Sequence, residues 1–503
     1  MSTTLTASDQ DAHDAAALAS LGYRQQLTRA LGLSGNFAIG FTYLSPLVGV
    51  YTLFSYGLAT GGPAMFWSIP IVMVGQLLVM LTFAEVASQY PIAGGVFQWA
   101  KHLVGPRYGW MSGWIYTWAL LFTIAAVAFP ISTYAGPLFG FAVTHTSTVI
   151  TAIIAIIFAA LVNLAGIRRL AVVAYVGVAV EVVGTLGIGL YLMAFHHHNS
   201  FGAIFHTFGA GSGNYTGAFL TAALFAVWIF YGFEACGDIA EEVRDPSRKI
   251  PKAMGWTLGI GGITTIILTL GLTVAVPSIS DVVSGKDTDA VGSALSAALG
   301  SGGTKFALAL IVLGFVSCTV AIQAAATRLV YSFGRDGMLV GGRVLAKVHP
   351  KFHMPPVATL VTAVIPALVT LLPSAQVSRV VGFAVTGIYV GFQLVVLAAV
   401  IARSRGWKPA GAFTLGRWGW VVNIVGLIYG ITAIVILSTK APFGTTFFLR
   451  WLVPLSVGIV AVVGLLYLAI LRPKVNIQDD ARTDVAVVPA QSTGDVSAPV
   501  TTE

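Results

Sequence analysis

Long, uninterrupted apolar runs limit what this chain can become more than any other feature. Residues 253–277, for example, contain no charged side chain. A helix that crosses a bilayer needs about 20 mostly apolar residues. The sequence holds twelve such runs, at 36–57, 64–84, 108–136, 147–166, 171–195, 215–240, 253–277, 304–332, 355–373, 380–402, 418–438 and 449–471. Only helices or closed barrels satisfy every backbone polar group inside lipid. Barrel strands would alternate over about ten residues, and these runs are longer and continuous. The predicted fold class is therefore all-α integral membrane, with twelve transmembrane helices.

Composition excludes the competing classes. The chain is 56% hydrophobic and 9% charged, against about 25% charged for a soluble globular chain. The net charge of +8 does not point to nucleic acid, because the basic residues are scattered between apolar runs. Cys236 and Cys318 lie in or beside those runs, with no disulfide framework and no zinc spacing. No Walker-type phosphate loop is present. No cofactor, metal or catalytic residue is expected. The first residues do not form a cleavable signal, so the first apolar run is expected to act as the insertion signal.

Lys and Arg set the expected orientation. With the N-terminus inside, all but five of the 27 basic residues fall on the cytoplasmic side, the exceptions being Lys286, Lys305, Arg379, Lys440 and Arg450. The expected organisation is a cytoplasmic tail at 1–30, a twelve-helix membrane body at 31–473, and a disordered cytoplasmic tail at 474–503. Residues 1 to 20 also read as disordered. Tryptophans near run ends, including Trp99, Trp110, Trp418 and Trp451, read as interfacial belts.

The informative places are the interruptions. Span one contains "YLSPLVGVYT", with Pro46 and Gly49 near its centre, and span six runs into "YGFEACGDIAEEV", with Gly232 inside it. Two apolar segments five spans apart, each interrupted by Gly or Pro, point to an inverted-repeat transporter whose helices break at mid-membrane. A half-helix N-terminus suits an anion, and freed carbonyls suit a cation. Acids inside the apolar runs are functional candidates because burying a charge costs at least about 2.5 kcal/mol on insertion scales. Glu181 lies mid-span, Glu234 and Asp238 follow the second break, and Glu85 closes span two.

Three stretches resemble amino acid–polyamine–organocation (APC) permeases, in order and spacing: "GFEACGDIAEEVRDPSRKIPKAM" (232–254), "AEVASQYPIAGGVFQWAKHLVGPRYGWMSGW" (84–114) and "ATRLVYSFGRDGML" (326–339). Span one looks most like the amino acid/choline branch. The resemblance implies a LeuT-like fold of two inverted five-helix repeats, about 31–195 and 215–402, with extra helices at 418–471. It implies that a substrate carboxylate meets amides of Leu47, Val48, Gly49 and Val50. It implies that a substrate amine meets carbonyls of Trp228, Ile229 and Tyr231, with Trp228, Phe230, Tyr231 and Gly232 bordering the pocket. Two departures stand out. The glycine-rich stretch of many relatives is here "PLVGVY", with one glycine, which leaves a longer amino acid or a cationic amine open. Glu181 falls where some proton-coupled relatives carry a lysine, so a glutamate here is a candidate to carry the coupling proton itself or to pair with a substrate or ion. Ser317 and Thr319 are candidates for a sodium site, or for simple bonding back to their own helix. Glu241, Glu242, Arg244 and Arg248 read as a cytoplasmic latch of charges.

The expected function is a secondary active transporter in the plasma membrane, importing an amino acid or related amine, with a proton or sodium as coupling ion. Choline, a polyamine or gamma-aminobutyrate is the competing cargo, and exchange is the competing mode. A membrane enzyme would need paired acids or a metal set on facing helices, which the sequence does not supply. A channel would not need two broken helices, though a substrate sensor would inherit them.

Overall fold

The computed structural model describes residues 7–440 and 446–473. Among these residues the chain is helical, with one isolated parallel bridge between Leu31 and Val243. In chain order the helices are α1 (Ala7–Ser20), α2 (Leu33–Leu44), α3 (Pro46–Gly61), α4 (Ser68–Gln89), α5 (Gly95–Leu103), α6 (Pro106–Ala128), α7 (Ile131–Phe139), α8 (His145–Leu164), α9 (Ile167–Glu181), α10 (Ile188–Phe195) and α11 (Tyr215–Ala222). They continue as α12 (Leu224–Ile229), α13 (Ala235–Asp238), α14 (Pro246–Ala275), α15 (Ile279–Val283), α16 (Ala290–Arg335), α17 (Gly342–Leu345), α18 (Pro356–Thr370), α19 (Ser374–Ser404), α20 (Gly419–Lys440), α21 (Phe447–Arg450) and α22 (Leu452–Leu471).

Ten of the twelve apolar runs lie in helical stretches long and apolar enough to cross a membrane, by length and composition. The other two are shorter apolar helices, Tyr215–Ile229 and Pro356–Thr370. The run read as 215–240 therefore stops being helical at Ile229, because the chain turns through Gly232. The outer helices carry rows of exposed apolar side chains, such as Ile150, Ile154, Ile157 and Leu161 on α8, and Ile459, Val462, Leu466 and Ile470 on α22. Rows of that extent mark a face that water does not meet.

The two breaks have local causes. Ser45 sits in the left-handed region at φ 42°, between α2 and α3. Pro46 follows it, lacks an N–H and disfavours helical backbone in the residue before it, so the helix must restart. Gly232 has φ 116°, a conformation that a side chain resists. A Cβ at Gly232 would lie 2.6 Å from Leu44 N, so the second break is pressed against the first. Gly49 serves the same approach, since its Cβ would lie 2.5 Å from Ile229 Cγ1. α3 packs on α11 and α12, and α2 on α9, α13 and α16.

Two sequence expectations change. Residues 7–20 form α1 and are not disordered. Leu18 and Tyr23 are buried with Ile92, Asp14 accepts from Asp245 N at 2.8 Å, and Arg29 donates to Val243 O at 2.9 Å. These contacts hold a segment that its composition alone would leave loose. Trp99 and Trp110 are fully buried and do not form a belt; their indole N–H groups donate to Tyr90 O at 3.2 Å and Met338 O at 2.9 Å. Trp418 and Trp451 are exposed, as a belt requires. Residues 1–6 and the tail at 474–503 lie outside the described residues.

Candidate functional site

The first break presents the N-terminal turn of α3. Three of its amides are already engaged. Leu47 N–H donates to Glu181 Oε2 at 3.0 Å, Val48 N–H to Ser45 Oγ at 3.2 Å, and Gly49 N–H to Ser45 O at 3.0 Å. The Ser45 hydroxyl in turn donates to Glu181 Oε1. Glu181 is fully buried at the C-terminal end of α9, next to a π-helical turn at Val182–Gly187. Such turns widen a helix locally and occur often at functional sites. Tyr51 of α3 donates to Gly184 O within that turn at 3.2 Å, which ties α3 to α9.

The second break offers the opposite chemistry. Gly232 N–H donates to Glu234 Oε2 at 2.7 Å. Tyr116 of α6 donates to Glu234 Oε1 at 3.0 Å, and its oxygen lies 3.4 Å from Asp238 Oδ2. Tyr389 of α19 donates to Val227 O at 3.2 Å. The carbonyls of Trp228, Ile229, Phe230 and Tyr231 accept no hydrogen bond among the described residues. Between the breaks lies a narrow cavity lined by Tyr43, Leu44, Val48, Gly49, Thr123, Val127, Trp228, Tyr231, Cys318 and Ile322. The rings of Tyr43 and Trp228 meet Tyr231 edge to face, with centroids 6.2 and 5.9 Å apart.

Of the residues named from sequence, Val48, Gly49, Trp228 and Tyr231 line this cavity. Leu47 turns its amide to Glu181. Ile229 packs on Gly49. Ser317 Oγ donates to Gly314 O at 3.0 Å and Thr319 Oγ1 to Phe315 O at 2.8 Å, both on their own helix. Tyr43, Thr123, Tyr116 and Tyr389 were not singled out in sequence, and Cys318 was named there only as an unpaired cysteine. They come from α2, α6, α16 and α19, and no local pattern sets them apart from packing aromatics and hydroxyls.

Buried acids fall into two groups. Away from the breaks, each has a basic partner: Glu85 with Arg403, Glu241 with Arg335 at 2.8 Å, Glu242 with Arg328 at 2.9 Å, and Asp336 with Lys101 at 2.5 Å. The arginines that meet Glu241 and Glu242 thus come from α16, and not from the loop that holds Arg244 and Arg248. Arg244 pairs with Asp11 at 3.1 Å; Arg248 is exposed and forms no ion pair among the described residues. At the breaks, Glu181, Glu234 and Asp238 are fully buried and contact hydroxyls and amides but no basic side chain among the described residues. A buried carboxylate without a counter-charge is costly unless it is protonated or meets a cation.

Outside the apolar spans, α5 carries a second network. Gln98 and Lys101 meet Tyr23 and Asp336. Beside it His102 stacks on Tyr90, with ring centroids 5.0 Å apart. Burial, and then the charge of Lys101, push the His102 imidazole down to about 4.

The family described as "Amino acid permease" matches residues 31–467, which spans both breaks and the cavity between them. The chain belongs to that family. It is similar to the "Amino-acid permease BAT1 homolog" of Oryza sativa subsp. japonica, 27% identical over 484 residues, covering 88% of this chain and 91% of that protein. It is similar to the "Choline transporter" of Saccharomyces cerevisiae, 26% identical, with 82% and 76% covered. It is also similar to the "Branched-chain amino acid permease BcaP" of Bacillus subtilis, 25% identical, with 82% and 88% covered. The permease is a multi-pass membrane transporter and not an enzyme, and the resemblance read from its three motifs holds.

Proposed function

We propose that the permease is a proton-coupled secondary transporter that imports an amino acid or related amine across the plasma membrane by alternating access. The reading includes a LeuT-like arrangement of twelve spans with both termini cytoplasmic, the shorter apolar helices Tyr215–Ile229 and Pro356–Thr370 counting as spans. One observation carries it. Two broken helices are packed face to face around a cavity, and three buried carboxylates beside the breaks lack a basic partner among the described residues. A transporter needs a site that both a cation and a proton can enter and leave. A protein that only needed stability would pair or omit those acids.

In this reading the substrate ammonium donates to the carbonyls of Trp228, Ile229 and Tyr231. Its apolar part lies against Val48, Phe230 and the rings of Tyr43 and Tyr231. Glu181 takes the coupling proton, because its bonds to Ser45 and Leu47 place it on the hinge between α2 and α3. Glu241–Arg335 and Glu242–Arg328, with Arg244 on Asp11, close the cytoplasmic end and part when the site opens inward. Sodium coupling is the competing reading: the Ser317 and Thr319 hydroxyls donate to carbonyls of their own helix, which leaves their oxygen lone pairs for a cation.

The test is uptake into proteoliposomes of labelled amino acids, gamma-aminobutyrate, choline and putrescine, under a proton gradient, a sodium gradient or neither. Proton-driven accumulation that disappears in Glu181→Gln is the expected result. Sodium-driven uptake overturns the proton assignment and returns attention to Ser317 and Thr319.

A further inference from the structure

The two ends of the central cavity are not equally open. At the α3 end, the amides that a substrate carboxylate would use are spent on Glu181 and Ser45. A carboxylate at a helix N-terminus is favoured by the backbone dipole and the free N–H groups, and here the protein supplies that carboxylate from α9. Whether or not Glu181 carries a proton, the Leu47 N–H is engaged. At the α12 end, four successive carbonyls accept nothing among the described residues. The rings of Tyr43, Trp228 and Tyr231 add faces that attract a cation. Glu234 and Asp238 are buried beside this break, and no basic side chain meets them among the described residues. Along the backbone of the two breaks, the donors of α3 are taken and the acceptors of α12 are available.

On the amine-transporter reading above, we infer that Glu181 stands in for a substrate carboxylate, and that the permease selects protonated amines that lack an α-carboxylate. An α-amino acid must displace Glu181 from Leu47. It must also bring a further carboxylate into a region that already holds Glu181, Glu234 and Asp238. An amine without that group loses nothing: its N–H donors meet the carbonyls of α12, and α3 stays capped. Discrimination then comes from a group that repels the wrong substrate as much as from contacts to the right one.

Matched pairs that differ only by the carboxylate give the test: 3-methylbutylamine against leucine, and putrescine against ornithine. Affinity is measured by equilibrium binding to the purified full chain in detergent, for the native protein, Glu181→Ala and Glu181→Gln. The native protein is expected to bind each amine at least tenfold more tightly than its amino acid. Glu181→Ala frees the Leu47 amide and is expected to shrink that ratio to near one or reverse it. Glu181→Gln still presents an oxygen to Leu47 and is expected to keep the preference; it also serves if the alanine variant fails to fold. Equal or tighter binding of the amino acids by the native protein overturns the inference and leaves the transporter reading standing. Loss of the preference in Glu181→Gln overturns the capping argument. Binding of neither member of either pair overturns the amine reading itself, and the inference with it.

Discussion

Gly232→Ala tests whether the pressed-together breaks set the architecture. The residue has φ 116°, where a side chain costs about 1–3 kcal/mol. The added Cβ would lie 2.6 Å from Leu44 N and 2.7 Å from Leu44 Cα. Those neighbours are backbone, so no rotamer change relieves the contact and the two breaks must separate by several tenths of an ångström. Strain and lost packing together come to roughly 2–5 kcal/mol. Two controls grade the effect. In Gly49→Ala the new Cβ meets the Ile229 side chain at 2.5 Å, which a rotamer shift partly absorbs, so the loss is roughly 1–3 kcal/mol. In Gly259→Ala the Cβ meets nothing within 4 Å on α14, and the change is neutral or stabilising by up to about 1 kcal/mol. Thermal unfolding of the purified variants in detergent, alongside uptake in proteoliposomes, reads the series. The expected order of stability is Gly259→Ala, Gly49→Ala, Gly232→Ala, with transport lost in the last. A Gly232→Ala protein as stable and active as Gly259→Ala would refute the reasoning.

Three further outcomes are expected. Arg328→Leu strands the fully buried Glu242, which Arg328 holds at 2.9 and 3.1 Å, and costs about 3–5 kcal/mol; adding Glu242→Leu should recover much of that loss in a melting experiment. Ser45→Ala removes the oxygen that caps Val48 N–H and should lower stability by about 1 kcal/mol, while weakening the preference for amines over amino acids. His102 sits at about 4 in the folded state, below its ordinary 6.5, so the unfolded chain binds the extra proton first. Stability should therefore be full above pH 6.5 and fall on acidification toward pH 4, by roughly 2–3 kcal/mol at pH 4.5 from this group. His102→Gln should flatten that part of the melting-temperature profile, and an unchanged profile would discount the imidazole.

Much of the candidate site was legible before any coordinates. Pro46 and Gly232 announce their breaks because each has a backbone preference that acts over one or two residues. Glu181, Glu234 and Asp238 stand out because an acid in an apolar run is rare and costly. Partners were not legible. The sequence pattern set Glu241 and Glu242 beside Arg244 and Arg248, a few positions away, whereas the fold delivers Arg335 and Arg328 from α16.

What the sequence determined by itself is whatever depends on local chemistry: a membrane protein, the rough position of its apolar helices, where two of them cannot continue, and which buried acids need an explanation. What only the tertiary structure decided is how those acids are met. Glu181 lies 136 residues from Ser45 and 134 from Leu47, and nothing in either segment announces that the glutamate caps the restarted helix. Hydrogen bonds and ion pairs between segments so distant depend on how the helices pack. A packing choice therefore settles whether the α3 amides are open to a substrate or already taken.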